Sequence, residues 1–335
     1  FYQEFTLDVI SKIALGQKEV KMFENLLMNL CRQIFSGFVF SIFFINIFCL
    51  APKQRLSELF YSQSRYRQHP YLKLMRDVER AVEEKKRARE EGSPSSGDFI
   101  DIFLDAEVEY TEIQAAGESK VSRKLVFDEI VSQCIVMLLA GFETTANSLS
   151  YLTHFLANHP EVQERMRDEI EAVCSGDLKW YFQSIEYEQL AELKYTEEAI
   201  RESLRHYPLA SFVVSRECQQ DTTIGSLQLK KGDNVLTDTW SMHMDKDIWG
   251  EDAEEFRPER WLEESSRPRV AFQSFGEGPR MCIGMRLAYM EEKTAIAHML
   301  KLFRIKKSGN KNPIKLVGSM TVAPERVDVV LEKRN

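Results

Sequence analysis

Six cysteines are scattered along the sequence at positions 31, 49, 134, 174, 218 and 282, and only the last sits where chemistry is suggested. It lies in FGEGPRMCIG, residues 275–284, where Gly276, Gly278 and Gly284 allow sharp bends and Arg280 stands two residues before the thiol. A free thiol has a pKa of about 8.5, and only its thiolate binds metal well, so the anion needs support. Glycine turns can aim amide N–H groups at a sulfur anion, and a helix expected to start near Ile283 brings its positive end to Cys282. Phe275 is placed to shield the sulfur, and Arg280 supplies a permanent cation for a carboxylate. A lone thiolate does not make a zinc site, which takes four protein ligands or three plus water. It suits a metal whose remaining positions belong to a non-protein group. Haem is that case, with Cys282 as fifth ligand and the sixth position left for O₂. The competing reading is a cysteine used as a small buried hydrophobe.

A second group lies in AGFETT, Ala140–Thr145. Gly141 removes bulk so that a helix can pass close to a flat ligand, Thr144 places a hydroxyl on the same face, and Glu143 adds a carboxylate able to exchange protons. In the competing reading, Thr144 merely bonds back to its own helix. A third group, ESLR, sets Glu202 and Arg205 at i, i+3 on one helix face, where they can pair.

These groups need elements to hold them. Ile130, Cys134, Leu138 and Phe142 recur at spacing four, predicting a long helix over 126–158 that stops before Pro160. Another helix follows from Pro160, with an apolar stripe of Val162, Met166, Ile170 and Val173. The helix carrying ESLR is expected over 196–207, with Thr196 as N-cap and Pro208 beyond its end. Residues 222–239 read as two strands around Gly232-Asp233, residues 285–303 as a helix and 326–333 as a strand. At the N-terminus Phe5, Val9 and Ile13 share a helical face, as in the interior of a helix, with no leader signature. Residues 76–98 form a charge-rich helix and a connector to which no chemistry is assigned. From Ile34 to Leu50 runs an uncharged apolar stretch. It falls short of the about twenty residues a spanning helix needs, and fits better as a buried or membrane-grazing segment.

The formal net charge of −8 and the absence of a basic stretch interleaved with aromatics argue against nucleic acid as partner. Scattered thiols without a CxxC pair argue against a zinc ribbon or a disulfide scaffold. The pattern is mainly α with a minor β-sheet region.

Phe275, Gly278, Arg280, Cys282 and Gly284 match F-x-x-G-x-R-x-C-x-G, and the stretch resembles the haem-binding signature of the cytochrome P-450 monooxygenases. AGFETT is similar to that family's distal-helix motif, and ESLR followed by FRPERW, which contains Arg260, keeps the family's order. The resemblance, closest to microsomal drug and steroid oxidases, implies a single domain over 1–335. That domain corresponds to the C-terminal two thirds of the fold, without the family's membrane anchor and early helices. It implies haem b ligated by Cys282, with Arg280 and Arg216 on the propionates, and with Phe275, covering the sulfur, and Gly284 also among the cofactor-binding residues. Glu202, Arg205 and Arg260 are implied to form a buried structural triad. Thr144 with Glu143 is implied to deliver protons. Ala140, Leu209, Ala210 and the turn from Gly318 to Thr321 are implied to face substrate, and residues 34–50 to roof the pocket. It further implies O₂-dependent oxidation of a lipophilic substrate, with electrons from NADPH through a flavin reductase that meets Arg280, Arg286 and Lys293. The expected location is the cytoplasmic face of the endoplasmic reticulum membrane. Two alternatives are a haem-thiolate isomerase or dehydratase of peroxides, and an inactive fragment.

Overall fold

The computed structural model describes residues 1–17, 24–35, 70–107, 124–174, 185–210, 215–263, 267–309, 314–318 and 321–334. Most of the 34–50 segment and part of the 318–321 turn lie outside the described residues. The chain falls into two compact units, Phe1–Glu143 and Thr144–Asn335, with one long helix running through the junction.

The first unit contains α1 (Tyr2–Leu15), α2 (Met28–Gln33), α3 (Pro70–Glu90), α4 (Phe99–Leu104) and the first half of α5 (Phe127–Asn158). In α1 the buried face is Thr6, Leu7, Ile10, Ser11 and Ala14. Phe5, Val9 and Ile13 lie only on its partly covered flank, so the helix was legible but its inner face was not. The charge-rich α3 buries a narrow stripe, Leu74, Val78 and Val82. Its Lys85 ammonium reaches Asp98 at 2.7 Å and Asp101 at 3.2 Å. Burial alone would raise the Asp101 pKa, but the Ser96 amide and Lys85 hold it down to about 2. Asp98 also accepts the Asp101 N–H as the N-cap of α4.

The second unit takes the rest of α5 and adds α6 (Pro160–Cys174), α7 (Tyr187–Glu192) and α8 (Lys194–His206). After the first sheets come α9 (Thr239–Met244), α10 (Lys246–Trp249) and α11 (Met285–Leu302). Its main core gathers Leu152 and Leu156 of α5, Met166 and Ile170 of α6, Ile200 and Leu204 of α8, and Ile296 and Leu300 of α11. On α6 Cys174, rather than Val173, completes the buried stripe. Gln163 is fully buried and exchanges bonds with both backbone groups of Ile305 while its amide also donates to Leu156 C=O, which removes the cost of burying it.

Four two-stranded antiparallel sheets complete this unit. β1 (Ser215–Glu217) pairs with β4 (Asn234–Leu236), and β2 (Thr222–Ile224) with β3 (Leu227–Leu229). The tight hairpin therefore turns at Gly225-Ser226, while Gly232-Asp233 only leads into β4, which pairs with the earlier strand. β5 (Phe303–Lys307) pairs with β8 (Val329–Lys333), and β6 (Leu316–Val317) with β7 (Ala323–Pro324).

α8 starts at Lys194, and Thr196 is not its N-cap. Thr196 is buried in the first turn, where its N–H and hydroxyl, together with the Tyr195 N–H, bond the Glu169 carboxylate at 2.7–2.9 Å. The orphan N–H groups of the helix end are thus satisfied from α6, by a residue that is distant in sequence.

Candidate haem-thiolate site

The loop from Gln273 to Gly284 is folded by its own backbone. Gly276 and Gly278 have φ of 70° and 77°, conformations costly for residues with a Cβ. A short 3₁₀ turn covers Gly278–Arg280. The Cys282 N–H donates to Phe275 C=O at 2.8 Å, closing the loop. Cys282 then sits just before Gly284, the N-cap of α11, and its side chain is exposed.

Although the residue reaches the surface, the surrounding loop crowds its sulfur and raises the thiol pKa above its ordinary value, and the amides of Gly284 and Met285 oppose this only in part. The sequence reading assigned the supporting donors to the loop glycines. Gly284, one of those glycines, is the one that acts on the sulfur, joined by Met285 at the start of α11. A coordinating metal cation favours the thiolate in such a position. Among the described residues no group of three or more His, Cys, Asp or Glu side chains could hold a metal. A lone thiolate suits an ion that brings its other ligands with it, as haem iron does. Exposed Ile283, at 84%, gives the sulfur an apolar neighbour suited to a flat macrocycle. Gly284 keeps the sulfur's flank open, since an added Cβ there would stand 3.9 Å from Sγ. The residues present fit the group.

Phe275 is half-buried, with its ring 5.1 Å from that of Tyr289. Arg280 is exposed and makes no ion pair among the described residues. Arg216 is exposed on β1 and donates to the adjacent Ser215 C=O at 2.8 Å.

Behind the loop, Glu202, Arg205 and Arg260 are all completely buried and in contact. Glu202 Oε1 accepts from Arg205 Nη2 at 2.9 Å and Arg260 Nε at 2.8 Å, and Oε2 from Arg205 Nε at 3.0 Å. Trp261 Nε1 and the Arg257 amide add bonds of 2.9 and 3.1 Å. Burial pushes the Glu202 pKa up, but the nearby His206 ring, the hydrogen bonds from Arg205 and the charges of Arg205 and Arg260 hold it well below the carboxylate range. Two guanidinium groups on one carboxylate leave an excess positive charge. The carbonyls of Trp249, Asp252 and Glu255 and the Asp252 carboxylate meet it through Arg260.

The triad helix also holds the loop. Near the C-terminus of α8 the Leu204 carbonyl accepts from Ser274 Oγ at 2.9 Å. The Arg205 carbonyl is 3.0 Å from His243 Nδ1, and His243 Nε2 is 3.0 Å from the Gln273 amide. Carbonyls left open at a helix end are thus closed by the start of the loop and by α9. Ser274 and His243 were missed from sequence, where neither stands in a recognisable motif.

On α5 a strip at spacing four is uncovered: Val136 is 56% exposed, Ala140 is exposed and Thr144 is half-buried. Glu143 is 8% exposed and turns off that strip, because adjacent helix residues are about 100° apart. Gly141 has a packing purpose that the sequence did not suggest. A Cβ there would lie 2.7 Å from Ile10 Cδ1 and 2.8 Å from its Cγ1, so the glycine admits α1. Thr6 of α1 donates to the Phe142 carbonyl at 2.7 Å in the same place.

Two further expectations change. Leu209 is 6% exposed and packed in the main core, so it does not present an open apolar face, and its carbonyl accepts the Val322 N–H at 2.8 Å. Ala210 beside it is half-buried. Lys293 is 4% exposed, with Nζ 2.9 Å from Leu190 C=O and 2.5 Å from Glu197. It is committed internally and unavailable to an acidic partner, whereas Arg286 is exposed.

A thiol presented at a helix end, over a buried Glu-Arg-Arg cluster in a mainly helical chain, defines a site of the haem-thiolate kind. The family model described as Cytochrome P450 matches residues 1–330. Two similar curated proteins of Caenorhabditis elegans are named "Putative cytochrome P450 CYP13A2" and "Putative cytochrome P450 CYP13A5". They are 40% and 41% identical across the whole of this chain, which spans 66% of the length of each. The chain belongs to the cytochrome P450 family.

Proposed function

We propose that this chain carries the catalytic centre of a monooxygenase that oxidises a lipophilic compound with O₂. The observation that carries the proposal is the exposed Cys282 thiol, hydrogen-bonded by the amides of Gly284 and Met285 and without companion metal ligands among the described residues. When bound, haem b held by the Cys282 thiolate would supply O–O bond cleavage, with one oxygen atom going to the substrate and the other, with two electrons from NADPH and two protons, to water. Cys282 holds the group, and Gly284 keeps the sulfur accessible. Arg280, exposed and without an ion pair among the described residues, is the better placed of the two arginines to bind a propionate. Arg216 is the second. Thr144 Oγ1 holds a proton on the uncovered strip of α5, and Glu143, buried and turned off that strip, reaches that hydroxyl only through intervening water. Ala140 and Ala210 offer small apolar surfaces to the substrate.

Electrons come from NADPH through a flavin reductase. Exposed Arg280 and Arg286 favour an acidic docking partner. The uncharged 34–50 sequence supports contact with the membrane surface, and we place the protein at the cytoplasmic face of the endoplasmic reticulum.

The absorption spectrum of the reduced, CO-treated protein tests the centre. A thiolate-type Soret band should be present and should vanish in Cys282→Ser. Its survival in the serine variant would overturn the assignment. Product formation dependent on NADPH and reductase separates the monooxygenase from a peroxide isomerase or dehydratase, which needs neither. Thr144→Ala should raise hydrogen peroxide released per NADPH consumed, and unchanged coupling removes Thr144 from proton delivery.

A further inference from the structure

His243 is fully buried on α9, and its hydrogen bonds fix its protonation. The Gln273 amide can only donate, so Nε2, 3.0 Å away, accepts. The proton is then on Nδ1, which donates to the Arg205 carbonyl at 3.0 Å. In return Arg205 Nη1 donates to the His243 carbonyl at 2.7 Å. The two residues are clasped both ways, through side chain and backbone. The ring stacks on Phe272, with centroids 5.4 Å apart and planes 14° from parallel. Phe272 is the residue immediately before Gln273, so both the ring face and Nε2 of His243 are spent on the entry to the cysteine loop. Two residues further on, the Phe275 carbonyl accepts the Cys282 N–H.

We infer that His243 is a positioning residue for the metal-binding loop: its neutral imidazole ties Gln273 to the Arg205 end of α8, so that Phe275 meets Cys282 and the thiol is held at the head of α11. The inference rests on the reading of Cys282 as the iron ligand. Burial favours the neutral ring that this geometry needs, pushing its pKa down to about 4.

Three variants separate this role from space filling. His243→Phe keeps a flat ring and loses both bonds. His243→Gln places an amide near the Nε2 position and restores the acceptor for Gln273. His243→Asn places one near Nδ1 and restores only the bond to Arg205. Amide hydrogen exchange at Gln273 and the fraction of reduced, CO-bound protein absorbing as the thiolate form are read on all three. Phe and Asn should speed Gln273 exchange by about tenfold or more and lose most of the thiolate form, while Gln stays near the wild type in both. If the Phe variant fails to fold, the Gln and Asn pair decides. Equal behaviour of Gln and Asn, or a Phe variant indistinguishable from wild type, overturns the inference. Exchange at Gln273 reads the tether with or without the cofactor. A wild-type protein lacking any thiolate band therefore sinks the functional reading while the exchange comparison still judges His243.

Discussion

Glu292→Gln should stabilise the protein near neutral pH, and more so as pH rises. Glu292 lies in α11 at 1% exposure, and its Oε2 accepts the Ser148 hydroxyl at 2.9 Å. Burial, opposed only in part by that bond and reinforced by the neighbouring Glu291, raises its pKa from 4.5 to about 8. Between these values the folded state keeps a proton that the unfolded state releases, so the folded state loses stability as pH climbs from 4.5 to 8. At pH 7 the loss is the 2.5-unit gap from 4.5 at 1.36 kcal/mol per unit, about 3 kcal/mol. Glutamine keeps an acceptor for Ser148 and cannot ionise, so it escapes that loss while leaving one extra N–H to satisfy, at a cost of about 1 kcal/mol. Thermal unfolding of both proteins at pH 5 and pH 7.5 is the assay. The variant should match or fall slightly below wild type at pH 5. At pH 7.5 it should melt higher by roughly 5–10 °C, using about 2–4 °C per kcal/mol. A melting difference that does not change with pH would refute the buried, protonated carboxyl.

Further outcomes follow from the same interior. Arg260→Leu should destabilise by about 3–5 kcal/mol, and Glu202→Ala by more, since it strands two buried cations together; equal, small shifts in denaturation midpoint would contradict the triad's geometry. Gly141→Ala should cost about 1–3 kcal/mol through overpacking against Ile10, and Ile10→Ala in the same chain should recover part of it in a double-mutant cycle. His243, faced by Arg205, Glu202 and His206, has its pKa lowered from 6.5 to about 4. Stability is therefore lost as pH falls from 6.5 toward 4, where the unfolded ring takes up a proton that the folded ring refuses, by roughly 3 kcal/mol in all. Denaturant titrations at pH 7 and pH 4.5 should show that slope reduced in His243→Gln, and an unchanged slope would place the imidazole in contact with solvent.

Much of the scaffold was legible because it is written in near neighbours. The stripe of Ile130, Cys134, Leu138 and Phe142 needs only the helical period, and all four are fully buried. The turns at Gly276 and Gly278 need a positive φ that glycine accepts readily, so the loop could be read around Cys282. Glu202 and Arg205 are one helical turn apart, and their pairing is a local matter.

Other features depend on where the chain returns, and a period or a propensity carries no record of that. Thr196 has the composition of an N-cap, yet the Glu169 carboxylate arriving from α6 satisfies the helix end instead. Gly141 stands in a ligand-facing motif, yet the side chain it makes room for belongs to Ile10, 131 positions earlier. Lys293 has the charge of a docking residue, but Leu190 and Glu197 lie within its reach and take it inside. The same holds for the sulfur's pKa, where burial outweighs two amides, and for His243, whose partners lie 38 and 30 residues away. Sequence alone determined the long periodic helices and which thiol stands in a bend, because backbone sterics and side-chain periodicity act over a few residues. Only the tertiary structure decided which polar groups meet and which charges are desolvated, because those energies depend on distances that exist only once the chain has packed.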